Sequence, residues 1–371
     1  MRPRGPTAAL LCAALVSGCA GQGPRGPAPM APSSRFESRD GSSPPALPPR
    51  PDPFRLLTGW AQDDHVAAFR AFRAGCAIAR DQSTRAVCAL AAQAGALNEA
   101  QARAFFERFF RPEPIDADGL LTAYFTPVYE ARAHPDGAFT APIRPRPADL
   151  PAADLNAVLS APYPARAAIE ARPARDALGW MRPEDLFVLQ IQGSGVLIFP
   201  GGFRAKAVFD GSNGALFRGI AKPLREKGLL ADQDTSGEAI RAWLAAHRGA
   251  AAEAIMRLDP RYVFFRLTID DGAPPSGASG VALVAGRSLA VDATRHAFGE
   301  LLWVDAAAPA LAGAFPAYRR LAVALDTGGA IKGEVRADLY LGEGQSAALE
   351  AGRVRHVLRL FRLAPISSAA R

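Results

Sequence analysis

Lysine is nearly missing from this chain of 371 residues: it occurs only at 206, 222, 227 and 332, so the 43 basic residues are almost all Arg. Against 36 acidic residues the net charge is +7, yet no run of five or more Lys/Arg occurs. Zinc-finger, RNP and phosphate-loop patterns are absent as well, which argues against nucleic-acid binding and leaves an anionic polymer as the partner such spread charge suits. Histidine is scarce, at 65, 134, 247, 296 and 356, without ligand spacing or a His-Glu-x-x-His string, so no metal site emerges and no cofactor is implied. No Gly-x-Ser-x-Gly elbow supports a serine nucleophile. Hydrophobic residues make up 49% and charged residues 21%, the balance of a globular protein rather than a disordered or polytopic membrane chain. The length admits two domains with real cores.

Cysteine is also rare, at 12, 19, 76 and 88. Arg2 and Arg4 precede a short apolar run over 8–16, an export signal too short to span a bilayer comfortably. The run closes on Val16-Ser17-Gly18-Cys19, which resembles a bacterial lipobox and makes residues 1–19 a lipoprotein signal with Cys19 as the lipidation site. Ala20, rather than Asp, follows the Cys, which implies an outer-membrane destination, facing the periplasm. Buried acyl methylenes contribute about 0.8 kcal/mol each, so lipidated Cys19 would tether an otherwise soluble body. Residues 20–53 form a Pro-rich linker, with ten prolines between Gln22 and Pro53, a composition unable to bury enough apolar area to offset ordering entropy. Cys76 and Cys88 remain: an exported compartment favours a disulfide, two thiols on successive helices are the alternative, and geometry decides.

Apolar spacing predicts helices over 63–81, 85–94 and 99–110, then a β-rich stretch over 119–126. A proline-punctuated segment covers 141–173. Residues 186–199 read as two strands broken by Gly193-Ser194-Gly195, and 212–227 and 237–256 as helices. Short strands are expected at 262–267, 281–285, 289–291, 301–304, 321–325, 337–341 and 354–361. Helices first and strands last suit a barrel or sandwich carrying an insertion.

The densest feature is Asp326-Thr327-Gly328-Gly329-Ala330-Ile331-Lys332-Gly333, followed by Arg336-Ala337-Asp338-Leu339-Tyr340. Two adjacent glycines permit positive φ and close backbone approach to a ligand, though a tight barrel corner would use them too. Asp-Thr-Gly is shared with aspartic proteases, but a dyad needs two copies and there is one.

This segment resembles the three-aspartate module of the MltA-type membrane-bound lytic murein transglycosylases. Other blocks match that family in order: Thr122-Ala123-Tyr124-Phe125-Thr126-Pro127, Gln190-Ile191-Gln192-Gly193-Ser194-Gly195, Gly211-Ser212-Asn213-Gly214 (the family's Asn-Gly helix start), Tyr262-Val263-Phe264-Phe265, and Gly286-Arg287-Ser288-Leu289-Ala290-Val291-Asp292. Ala123 stands where some members have Gly. The resemblance implies a double-psi β-barrel (54–127 plus 260–366) with N-terminal helices, a smaller β-rich inserted domain (128–259), and a glycan groove between them.

It also implies cleavage of the MurNAc–GlcNAc β-1,4 bond of peptidoglycan with formation of 1,6-anhydro ends. Ordinary glycosidases need two carboxyl groups. A transglycosylase uses the sugar's own C6 hydroxyl, so one acid/base serves both steps, and family matching makes it Asp338. Its pKa must then lie well above the usual ~3.9. Asp326 is the expected second charge, Lys332 is expected to point at Asp326 or the sugar rather than at Asp338, and Asp292 is either supporting or purely structural. Thr122, Tyr124, Thr126, Gln192, Gly193, Ser194, Gly328, Gly329 and Ala330 are the expected substrate contacts. Two alternatives stay open: a non-catalytic peptidoglycan-binding lipoprotein, and a glycoside hydrolase using Asp326 with Asp338.

Overall fold

The computed structural model describes residues 52–151, 163–230, 234–308 and 315–366. The export signal, Cys19 and nearly all of the Pro-rich linker lie outside the described residues. Three helices come first, α1 (His65–Gly75), α2 (Gln82–Gln93) and α3 (Glu99–Phe109). Each starts where a side chain takes an orphan amide: Asp64, Asp81 and Asn98 accept from Ala67, Thr84 and Gln101, and Asn98 with Gln101 forms a capping box. Phe69, Phe72, Phe105 and Phe106 recur at helical spacing and meet mainly edge-to-face. They pack with Leu301, Trp303, Leu321, Val323 and Leu363 into one core layer. Cys76 and Cys88 form a disulfide, Cα–Cα 5.6 Å, tying the end of α1 to α2.

Strand β1 (Phe110–Pro114) carries Pro112 and Pro114, which is possible because it is an edge strand paired only to the last strand of the chain. Strand β2 (Gly119–Thr126) then enters a barrel that the chain leaves at once. There follow β3 (Val128–Glu130), β4 (Ala141–Ile143), α4 (Arg166–Glu170), β5 (Gly179–Met181), α5 (Pro183–Gln192), β6 (Gly195–Ile198), β7 (Arg204–Ser212), α6 (Ala221–Glu226), α7 (Gly237–Ala246), α8 (Ala250–Met256) and β8 (Val263–Ile269). Four of the strands form a second sheet in the order β3-β6-β7-β8, while β4 and β5 make a separate two-stranded antiparallel sheet.

The chain returns to the barrel with β9 (Ser288–Val291), β10 (Leu301–Ala307), β11 (Ala317–Thr327), β12 (Arg336–Glu343), α9 (Gly344–Ala351) and β13 (His356–Pro365). The order β13-β10-β11-β9-β12-β2 closes through β13–β2 into a six-stranded barrel, with β11–β9 and β12–β2 parallel. The fold class is the one expected: a double-psi β-barrel with helices and a smaller β-rich insertion. Leu121, Leu289, Val291, Leu302, Val304, Ala337, Leu339, Leu358 and Leu360 fill the barrel. Strand alternation then turns Thr122, Asp338 and Tyr340 to its outer surface.

Several expectations need correction. Residues 186–192 belong to a helix, because Pro183 opens it, Glu184 and Asp185 sit in its first turn, and Gly193 (φ 86°) stops it. That helix is buried on several sides, with Leu186 and Leu189 in one cluster and Phe187 in another, so its apolar run shows no clear period. Residues 204–212 are strand, so the Asn213-Gly214 block leaves a strand instead of starting a helix, and α6 begins only at Ala221. Residues 237–256 form two helices, interrupted where Gly249 adopts φ 98°. Ala282 makes only an isolated bridge with Ser276, so 281–285 is not a strand. Finally, β8 pairs with β7, from Val263 opposite Ser212 to Ile269 opposite Ala205. The strand expected at 262–267 therefore belongs to the second sheet, beyond the insertion limit placed at Asp259.

Candidate active site

A cleft of about 650 Å³ is lined by the outer surface of β2 and β12, the turn after β11, the end of α5 and parts of β7 and β8. On its barrel side Asp338 lies opposite Thr122 in the parallel β12–β2 ladder. That register lets Thr122 Oγ1 donate to Asp338 Oδ1 at 2.5 Å. Arg336, two residues earlier on the same face, donates from Nη2 to Thr122 Oγ1 at 2.9 Å and from Nη1 to the Ala337 carbonyl at 2.6 Å. Its guanidinium is thus spent on the hydroxyl and the backbone, and no ion pair with Asp338 forms. No described residue donates to Asp338 Oδ2, which leaves that oxygen able to carry a proton.

Burial pushes the Asp338 carboxyl above the ordinary aspartate range, and the charge of Asp326 pushes the same way. The Thr122 hydroxyl and the Arg336 charge pull back without reversing the direction. Asp326 is raised as well, chiefly by burial. It is the more tightly held of the two: Oδ1 accepts from the Ala278 and Thr327 amides at 2.8 and 2.9 Å, and Oδ2 accepts from Tyr124 OH at 2.9 Å. Tyr124 stacks at a tilt on Tyr340, 5.3 Å between centroids, and Tyr340 OH meets Thr126 Oγ1 at 2.8 Å. On the opposite side Gln192 Oε1 accepts from the Phe125 amide at 3.1 Å, tying the end of α5 to β2. Ser194 Oγ accepts from the Phe209 amide at 3.3 Å.

Two family models match the chain: the MltA specific insert domain over residues 120–266 and the 3D domain over 287–364. A structure of a membrane-bound lytic murein transglycosylase from Agrobacterium tumefaciens superposes with TM-score 0.72 at 31% identity, covering 84% of this chain and 96% of that one. The chain belongs to the MltA family. Among its relatives, membrane-bound lytic murein transglycosylase A of Vibrio cholerae is 32% identical over 252 residues, 66% of this chain; the match spans 65% of the Vibrio protein's length. E. coli MltA, in a structure with bound chitohexaose, superposes with TM-score 0.62 at 30% identity, covering 77% of this chain and 83% of that one.

Of the residues the sequence singles out, Thr122, Tyr124, Gln192, Gly193, Ser194, Asp326, Gly328, Gly329, Ala330 and Asp338 all line this cleft in the MltA-family chain. Thr126 does not: it is buried beneath the cleft, paired with Tyr340. Lys332 is a correction, because it is exposed and lies outside the cleft lining. Its charge acts instead on Asp292, since the Gly333 amide donates to Asp292 Oδ2 at 2.9 Å and carries the loop there. Burial would raise the Asp292 carboxyl, yet the Gly333 amide, the Thr294 hydroxyl and amide and Lys332 together hold it below the usual range. Asp292 therefore caps a loop. Gly328 and Gly329 are not in the positive-φ region. Gly329 is instead where a side chain comes close: a Cβ there would lie 2.9 Å from Arg261 Nη1, and the guanidinium would have to shift. Sequence reasoning passed over Arg336, although its place two residues before Asp338 on a strand was a readable signal, and it passed over Arg261, for which no local signal exists.

Proposed function

We propose that this chain is a lytic murein transglycosylase that cleaves the MurNAc–GlcNAc β-1,4 bond of peptidoglycan and leaves 1,6-anhydroMurNAc ends, with Asp338 as its single acid/base. The observation that carries the reading is Asp338: a desolvated carboxyl in an open cleft, held by a hydroxyl instead of a guanidinium, with one oxygen unoccupied. A carboxyl kept protonated in this way can donate to the glycosidic oxygen as the C1–O bond breaks. The resulting carboxylate then takes the proton of the C6 hydroxyl while that oxygen bonds to C1. Because the nucleophile is part of the substrate, no second carboxylate has to activate water, and the tethered attack gains a large effective molarity.

The three donors on Asp326 favour a positioning role for it and speak against the two-carboxylate hydrolase, whose nucleophile or base needs an available oxygen. The match to proteins named as lytic murein transglycosylases and the chitohexaose bound to E. coli MltA support a glycan strand as the occupant of the cleft. In this reading the segment from Val128 to Ile269 is the smaller lobe that walls the groove opposite the barrel. Cys19 carries the lipid anchor at the periplasmic face of the outer membrane, a point tested by radiolabelled palmitate incorporation into wild type and Cys19→Ser.

Mass spectrometry of digested sacculi tests the chemistry. Anhydro ends are expected; reducing ends would assign a hydrolase, and absence of any product would leave a binding lipoprotein.

A further inference from the structure

The cleft holds a cation that the chemistry above does not use. The main chain of Arg261 is pinned, its amide donating to Asp259 Oδ1 at 3.2 Å and its carbonyl accepting from Arg166 Nη2 at 2.6 Å. Its guanidinium makes no hydrogen bond and no ion pair with any described residue. The carboxylate whose charge acts on it, Asp259, is committed elsewhere, to the Arg218 amide at 3.0 Å and to Arg166 at 3.7 Å. The guanidinium rests against Gly329 in the turn after Asp326, where a Cβ would come within 2.9 Å of Nη1 and 3.4 Å of Cζ. Arg261 and Asp338 line the same cleft. Burial lowers the Arg261 pKa against the opposing pull of Asp259, so the charged form sits there without a full complement of partners. A planar set of unoccupied N–H donors in such a place is built to take a carboxylate.

We propose that Arg261 is a specificity residue that binds a carboxylate carried on the lactyl arm of the muramyl sugar. The inference rests on the murein reading and deepens it. A polymer of N-acetylglucosamine alone is neutral and offers Arg261 hydroxyl and amide-carbonyl acceptors but no anion. Muramyl sugars differ from it at the lactyl arm, which ends in a free carboxylate in denuded strands and in a peptide with its own carboxylates in stem-bearing strands.

The test measures binding in the Asp338→Asn background, so that turnover does not interfere. Affinities for denuded glycan strands, stem-bearing strands and chitohexaose are compared with and without Arg261→Gln, at two salt concentrations. The ratio of muramyl-strand affinity to chitohexaose affinity is expected to fall about tenfold, with a weaker salt dependence of what remains. Arg261→Lys should recover part of the ratio. A loss confined to denuded strands identifies the lactyl carboxylate as the ligand, and one confined to stem-bearing strands identifies the peptide. Equal losses on all three ligands, or no loss on any, overturn the proposal. Failure of the murein reading shows separately, as absence of anhydro ends from wild type acting on sacculi.

Discussion

Buried carboxylates in this molecule are held in two different ways. Away from the cleft, Asp63 and Asp305 are clamped by arginine: Asp63 takes Arg287 at 2.8 Å, and Asp305 takes Arg319 at 3.1 Å and Arg359 at 2.5 Å. In the cleft, Asp326 and Asp338 take hydroxyls and backbone amides, and the nearby Arg336 is spent on Thr122 and carbonyl oxygens. The distinction is chemical. A guanidinium at hydrogen-bond distance stabilises the carboxylate and makes a poor acid of it, whereas burial with a hydroxyl partner leaves the protonated form accessible. A chain this rich in arginine had every opportunity to pair Asp338 directly, and the register of β12 against β2 diverts Arg336 instead.

The sharpest way to break the contrast is Asp338→Asn. It should fold, keep affinity for glycan, and lose about a thousandfold in the release of anhydro ends from sacculi. Residual turnover within tenfold of wild type would remove Asp338 as the acid. Next in size is the clamped group. Asp63→Ala leaves Arg287 buried without its partner and should cost about 3 kcal/mol or more in chemical denaturation, whereas Asp338→Asn should cost nothing or add stability at neutral pH. The sign follows from proton linkage. The folded pKa of Asp338 is raised, so between the unfolded value near ~3.9 and the folded value the native state holds the extra proton. Stability therefore falls as pH rises through that window, and the Asn variant should show a flatter decline. Replacing Cys76 and Cys88 by Ser opens a short loop and should cost about 2–3 kcal/mol, leaving glycan affinity intact. The smallest effect sharpens the comparison from inside the cleft. Arg336→Gln removes a charge that lowers the Asp338 pKa, so the alkaline fall of kcat/KM should move to higher pH, and an unchanged profile would show that Arg336 does not tune the acid.

Asp338 was legible through its place in the aspartate module; in the structure Ala337 and Leu339 belong to the barrel interior, which leaves 336, 338 and 340 on the other face. The same alternation would have exposed Arg336, had charge been read alongside the motif. Lys332 misled because nearness in sequence to Asp326 and Asp338 is not nearness in space; a loop pinned by Gly333 on Asp292 takes it elsewhere. The end of α5 misled for a different reason. A helix packed on several sides is apolar at nearly every position, and period two and period 3.6 then give the same string.

What the sequence determined by itself was therefore the local chemistry: the first three helices, the strand over 119–126, and the aspartate module with the class of reaction it resembles. These depend on neighbours a few residues apart, where periodicity and composition are direct consequences of backbone geometry. Tertiary structure alone decided which groups meet, as Thr122 with Asp338, Tyr124 with Asp326 and Arg261 with Gly329. It also settled whether Cys76 and Cys88 would join. Those meetings, and the burial that raises a carboxyl's pKa, arise from parallel pairing and barrel closure across long stretches of chain, and no short window of residues contains them.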